Sequence, residues 1–172
     1  MEKITATSLC LFLLIGLGQK AGAQDTVGQL LKDAGKDIIL DPTTYIPNGV
    51  YFTAKKLDWD SSQVFFRNGY VEENSDYTIS GKAKDIPISY SAGNRRIFMK
   101  TLPILGSSVL NNAAVSISER ILIHYYPNHR KLIKSIGWIE KIASASYYGY
   151  KYSNSFSQWQ TNKDLSRQLG LK

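Results

Sequence analysis

Residues 117–150 carry two helical periods separated by a proline, and this pattern narrows the fold more than any other. ISERILIHYY leads into Pro127-Asn128-His129, and RKLIKSIGWIEKIASASYYGY follows. Before the turn, Leu110, Ala114, Ile117 and Ile121 recur at i, i+4, i+7 and i+11, one stripe of a 3.6-residue helix. After it, Leu132, Ile136, Ile139 and Ala143 repeat that spacing, and Trp138, Ile142 and Ala145 add a second stripe. Proline has no N–H with which to continue a helix and suits the first turn of the next one. The spacing therefore predicts an antiparallel helical pair whose second member is covered on two sides.

Helical periods recur on either side. From Asp25 to Ile39 a short amphipathic helix is expected, with Asp25 as N-cap and Val27, Leu30, Leu31, Ala34 and Ile38 as its apolar face. Asp41-Pro42 and Pro47-Asn48-Gly49 bound an irregular connector. A second helix is expected from Val50 to Asn68, with Val50, Ala54, Leu57, Ser61, Val64 and Phe65 on one face, Phe52, Trp59 and Phe66 widening it, and Asn68-Gly69 as its stop. Between Tyr70 and Asn94 the period disappears. Tyr77, Ile79, Ile86, Ile88 and Tyr90 alternate in two pieces around Ser80-Gly81, which predicts a small hairpin or an ordered loop. A third helix should run from near Gly93 to His124 or Tyr125, with Pro103 either kinking it or opening a separate helix. A last one passes through Trp159 and Leu165 and stops at Gly170. The expected fold is all-α or mainly α, a four-to-five-helix bundle with a long irregular or hairpin insertion around residues 70–94.

The N-terminus points to export. Lys3, the apolar run Ile4 to Leu17 and the small-residue signal Ala21-Gly22-Ala23 read as a secretory signal peptide over residues 1–23, leaving a single helical domain over residues 24–172. The rival is an uncleaved anchor, but the run is shorter than the ~20 apolar residues that a span needs. Cys10 is the only cysteine and lies inside the run, so the mature chain is cysteine-free. A disulfide, a thiol nucleophile and a thiolate metal site are thereby excluded. Lys3, Lys20 and Glu2 leave with the leader, taking the net charge from +7 to +6. A basic protein in the periplasm, on the outer envelope or outside the cell meets lipid phosphates, acidic glycans and wall polymers before nucleic acid. An evenly spread charge that serves only solubility fits equally well, because no run of five like charges occurs.

Catalytic signatures are missing. The chain has no H-E-x-x-H, no G-x-S-x-G, no phosphate-binding glycine loop and no carboxylates paired at metal-ligand spacing. His124 and His129 flank Pro127 five residues apart, which is not the i, i+4 pair of a helical metal site. His129 is expected to cap or brace the turn, and neither a metal nor an organic cofactor is indicated. Polar residues in apolar surroundings are more informative: Asp58, Glu72, Asn112, Glu119, Arg120 and Arg130. A carboxylate in a helix interface needs a donor partner, and Arg120 or Arg130 facing Asp58 or Glu72 would supply one. Such a network either fixes helix register or lines a pocket.

Leu57-Asp58-x-x-x-Ser62, then Gly69, then Glu72-x-Asn74 resembles a pattern in an uncharacterised family of small helical bacterial proteins, Asp-x-x-x-Thr, Gly, Glu-x-Asn-Pro. Ser62 stands for the threonine and Ser75 for the proline, and the likeness covers about 18 residues. The resemblance implies an all-helical fold with Asp58, Ser62, Glu72 and Asn74 as characteristic positions, and no activity. Together the candidates for a buried polar network are Asp58, Ser62, Glu72, Asn74, Asn112, Glu119, Arg120, His129 and Arg130.

Aromatic residues crowd the later chain. Tyr147, Tyr148, Tyr150, Tyr152 and Trp159, interleaved with Lys151 and Lys163, can stack on sugar rings, sit at a lipid interface or pack helix ends. The leading expectation is a non-enzymatic exported module that binds an envelope component or partner protein through residues 70–94 or these aromatics. The alternative is a small basic lysozyme-like wall hydrolase. Glu72 or Glu119 would be its acid, with Asp58 or Asp60 as a second carboxylate ~5–9 Å away. A third reading is a membrane-associated protein, peripheral or embedded through residues 97–117.

Overall fold

The computed structural model describes residues 23–171, and within these the side chains of residues 23–27, 30 and 31 are not described. The expected leader, with Cys10, lies outside this range except for Ala23. The fold class is all-α, as the periodicity predicts. In chain order the helices are α1 (Ala23–Leu40), α2 (Ile46–Arg67), α3 (Tyr90–Tyr125), α4 (Arg130–Lys151) and α5 (Ser153–Gln168). Asp25 falls within α1 rather than at its cap. Pro103 falls within α3, which continues through it as one helix. The described residues group into two compact units, one of the chain up to Pro47 with Ile104–Tyr147, the other of Asn48–Pro103 with Tyr148–Lys172.

The first unit contains the proline-linked pair. Pro127–His129 forms a 3₁₀ turn, in which the His129 N–H donates to the Tyr126 carbonyl (3.0 Å), and α4 starts directly after it. A second 3₁₀ turn, Pro42–Thr44, is capped by Asp41. Its carboxylate accepts from the Thr43 N–H (3.0 Å) and hydroxyl (2.7 Å), and Pro42 occupies the first position, where no N–H is needed.

The two apolar ridges do not face inward as expected. Of the first stripe only Ile121 is buried, and Leu110 is exposed. On α4 the residues that face inward are Gly137, Lys141 and Ala145, while Leu132, Ile136, Trp138, Ile139 and Ile142 are exposed. The inward stripe of α3 is instead polar: Ser108, Asn112 and Ser116, each four residues apart and each buried. Burying such groups is tolerable because they are hydrogen-bonded. The Asn112 amide donates to the hydroxyls of Thr43 (3.0 Å) and Thr44 (2.8 Å), and Thr44 passes its own proton to the Ile38 carbonyl (2.8 Å). Lys141 reaches Asp41 (3.0 Å) and the Ser116 hydroxyl (3.2 Å). Periodicity locates an apolar stripe, but here small and hydrogen-bonded residues occupy the packed face.

The second unit is built more conventionally. Trp59, Tyr77 and Ile97 form its core, with Phe66 and Ile88 packed against them. Gly93 lets the indole lie on the start of α3, since a Cβ there would stand 2.3 Å from the Trp59 ring. The indole N–H donates to the Tyr90 carbonyl (3.3 Å). The end of α2 follows from local chemistry. Gly69 takes φ +84°, the Tyr70 N–H reaches back to the Phe65 carbonyl (3.1 Å), and the Phe65 and Tyr70 rings meet edge to face at 5.7 Å. That is a left-handed glycine stop with its accompanying apolar contact. Gly170 ends α5 in the same way, at φ +63°, with the Leu171 N–H on the Ser166 carbonyl (2.9 Å).

Residues 70–89 make a short antiparallel excursion. Glu72 pairs with Asp85 and Thr78 with Pro87, which agrees with the alternation read from the sequence. A 3₁₀ turn at Ser75–Tyr77 sits between the two pairings and carries Tyr77 into the core. Asn74 caps it by accepting from the Asp76 N–H (3.0 Å). Lys100 pairs with the Asp76 side chain and Arg96 with its carbonyl, tying the turn to α3.

Candidate functional site

One cleft in the second unit collects the residues singled out by the Asp-x-x-x-Ser…Gly…Glu-x-Asn pattern. It has a volume of about 400 Å³, and Asp58 and Ser62 of α2 line it together with Glu72 and Asn74 of the following segment. Local structure explains the spacing. Asp58 and Ser62 are one turn apart on one face of α2, where the Ser62 hydroxyl donates to the Asp58 carbonyl (3.0 Å). The glycine stop at Gly69 reverses the chain, so that Glu72 and Asn74 return beside that face. Glu72 holds the return in shape, its carboxylate accepting from the Asn74 N–H (2.7 Å).

Three kinds of wall surround these groups. Trp59, Phe65, Phe66, Tyr70 and Tyr77 supply aromatic rings, Glu73 and Lys55 add charge, and α5 contributes Gln158, Asn162 and Leu165. Asn162 was not visible in the sequence as a site residue. Its amide donates to the hydroxyls of Ser61 and Ser62 (both 3.1 Å) and reaches the Asp58 carboxylate at 3.5 Å. No short-range signal marks it, since 100 residues separate it from Ser62.

Both carboxylates hold their protons unusually tightly. Burial pushes the Asp58 carboxyl up to about 6; the Lys55 cation, 4.0 Å away, opposes this and the charge of Glu72 adds to it. Burial also raises Glu72, outweighing the N–H groups of Asn74 and Glu73 that favour its ionised form. Two acids, one of them titrating near 6 and feeling the charge of the other, therefore share an aromatic-walled cleft.

The other candidates stand elsewhere. Asn112, Glu119 and Arg120 belong to the first unit. Arg120 pairs with Asp37 (2.5 Å) and Asp33 (3.6 Å) of α1, not with Asp58 or Glu72 as expected, because α1 brings two acids one turn apart beside it. Glu119 lies against Gly137, its carboxyl raised by burial in spite of Lys141 and Lys134. His129 and Arg130 are exposed at the turn. Asp60 is occupied by Lys56 and by the Tyr90 hydroxyl (2.9 Å).

The candidate aromatics of the later chain do not line the cleft. Tyr152 packs edge-on against Tyr51 at 4.7 Å, Lys163 lies over the Trp159 ring at 4.9 Å, and Tyr147 and Tyr150 are exposed. Among the described residues no cluster of His, Cys, Asp and Glu is arranged to hold a metal ion, and no helix is long and apolar enough to cross a membrane. Comparison with protein-family models, with curated proteins and with solved structures finds no match, so no relative assigns a role to the cleft.

Proposed function

We propose that this chain is an exported binding module of the bacterial envelope, not itself catalytic, whose ligand sits in the Asp58–Glu72 cleft. The observation that carries this is the joining of two half-buried carboxylates, an amide donor at Asn162 and several aromatic rings in one cleft large enough for a small ligand. The leader read from residues 1–23 supports export. The charge of the cleft narrows the ligand. Asp58, Glu72 and Glu73 face a single cation, Lys55, so anionic groups are disfavoured even though the chain as a whole is basic. Hydroxyl-rich rings and protonated amines fit better, since carboxylates accept from both and aromatic faces attract cations.

The test is calorimetric titration with two probes, a chitosan trimer and its fully N-acetylated counterpart, each with wild type, Asp58→Asn and Glu72→Gln. Binding by wild type that weakens in both variants is the expected result. Heat signals identical in all three proteins, or absent for both probes, would remove the proposal.

A second reading rests on the same two acids. A carboxyl that burial makes hold its proton more tightly, beside a second carboxylate, is what a glycoside hydrolase requires, and in that reading Glu72 is the acid and Asp58 its partner. Glu119 and Asp60 drop out of that reading because neither lines the cleft. Cell-wall zymography decides it. Clearing by wild type that vanishes in Glu72→Gln would replace the binding reading, and no clearing by wild type eliminates the hydrolase.

A further inference from the structure

Several polar groups in the wall of the Asp58–Glu72 cleft are already engaged with one another. The Ser62 hydroxyl donates to the Asp58 carbonyl (3.0 Å) and accepts from the Asn162 amide (3.1 Å). The Asn74 side chain caps the Ser75–Tyr77 turn, and Glu72 accepts from the Asn74 N–H (2.7 Å). The Asp58 carboxylate is the exception. Its side chain is only 21% exposed, yet it meets a long hydrogen bond from the Asn162 amide (3.5 Å) and the Lys55 ammonium at 4.0 Å, too far for a hydrogen bond. Asp41, 14% exposed, shows a satisfied carboxylate in the same protein. It accepts from the Thr43 hydroxyl at 2.7 Å and from the Thr43 N–H and Lys141 at 3.0 Å each. A carboxylate withdrawn from water ordinarily has such close donors. Burial works to raise both carboxyls; the bonds of Asp41 outweigh it, and the contacts of Asp58 do not.

Asp58 is thus open to one strong donor, and the walls around it are largely ring: Trp59, Phe65, Phe66 and Tyr77 line the same cavity. A polyhydroxylated ring needs a partner for each hydroxyl that it buries. An ammonium on a flat apolar body needs one carboxylate and a set of ring faces, which attract it as a cation. Resting on the binding reading above, we propose that the ligand is an arylalkylamine, whose protonated nitrogen takes Asp58 as counter-ion and whose ring lies among the aromatic walls. Lys55 is the internal competitor for that position. Its ammonium stands 4.0 Å from Asp58 and also acts on Glu72, and its flexible stem lets it swing to solvent when a second cation arrives.

The protein as the host cell processes it would be titrated calorimetrically with phenethylamine, with phenethyl alcohol, which replaces the ammonium by a hydroxyl, and with butylamine, which has no ring. Wild type is expected to bind the first roughly tenfold more tightly than either of the others. Asp58→Asn keeps the shape of the side chain and should erase the preference over the alcohol. Lys55→Gln should tighten amine binding about threefold by removing the competing cation. Thermal unfolding verifies that both variants fold. Equal affinity for amine and alcohol, an amine preference that survives in Asp58→Asn, or weaker amine binding by Lys55→Gln would each overturn the proposal. Should the chitosan probes bind in an Asp58-dependent way while phenethylamine does not, the cleft keeps its binding role and this ligand class alone fails.

Discussion

Gly137 of α4 lies directly beneath Glu119 of α3: a Cβ at position 137 would stand 1.7 Å from the carboxylate oxygen and within 2.8 Å of the Glu119 Cγ. The glycine is therefore a space requirement and not a backbone one, since it sits inside a helix. Adding a methyl group there ordinarily stabilises a helix by up to about 1 kcal/mol. Here it must evict the half-buried Glu119 side chain, an overpacking cost of about 1–3 kcal/mol.

Gly137→Ala is accordingly expected to destabilise the protein by about 1 kcal/mol, the difference between those two effects. In a Glu119→Ala background the same change should stabilise it. Urea denaturation of the four proteins of this cycle checks the reversal of sign. Destabilisation of the same size in both backgrounds would show that Glu119 is not the obstacle.

Lys141 is 7% exposed and its ammonium has Asp41 as its ionic partner. Burial tends to raise the Asp41 carboxyl, but the hydrogen bonds from Thr43 and Lys141 outweigh it and hold the group below its ordinary 3.8. Lys141→Ala leaves the carboxylate with only its Thr43 donors and should cost roughly 2–3 kcal/mol. A depressed acid contributes stability above its unfolded value and loses it as pH falls through the folded one. The deficit of Lys141→Ala, measured by thermal unfolding from pH 7 downward, should therefore shrink below pH ~4. A deficit that does not change with pH would separate the two groups energetically.

Asp58 gives the opposite sign. Its carboxyl is raised to about 6, so the folded protein binds this proton more tightly than the unfolded chain does. Stability from this group is full below the unfolded value and declines as pH rises toward 6, after which it is flat. Asp58→Asn removes the penalty and should stabilise the protein at pH 8 by about 1–2 kcal/mol, a figure reduced from the full shift for partial solvent screening. Near pH 3.5 the two proteins should unfold together. A ligand that needs the ionised carboxylate should bind more weakly as pH drops through 6, which titration calorimetry at pH 5 and pH 7.5 measures.

Arg120 and Asn112 separate exposed from buried polar bonding. Arg120 pairs with Asp33 and Asp37 near solvent, so Arg120→Ala should cost under about 1 kcal/mol and less in high salt. Asn112 is buried and serves two hydroxyls at once. Asn112→Ala should cost about 2–3 kcal/mol, insensitive to salt, because it leaves Thr43 and Thr44 without their donor. Chemical denaturation at two salt concentrations distinguishes these outcomes, and equal losses would contradict the assignment.

What the sequence determined by itself was local. The proline turn at 127–129, the glycine stops at Gly69 and Gly170, the alternation near Tyr77 and Ile88 and the all-helical class were all readable, because each depends on residues within a few positions of one another. Asp58 and Glu72 stand out in the sequence as charges in apolar surroundings and Ser62 and Asn74 only through the resemblance; one helical turn and one glycine reversal bring the four to one cleft. Tertiary structure alone decided which side of α4 is covered, and that Arg120 meets α1. It also decided that Asn162, a hundred residues on, completes the cleft. Apolar periodicity states where a stripe lies but not what meets it, and a packed face can be polar when distant segments supply hydrogen-bond partners for its side chains. Those partners, Thr43 and Thr44 for Asn112 and Asp41 for Lys141, are fixed only once the chain has folded.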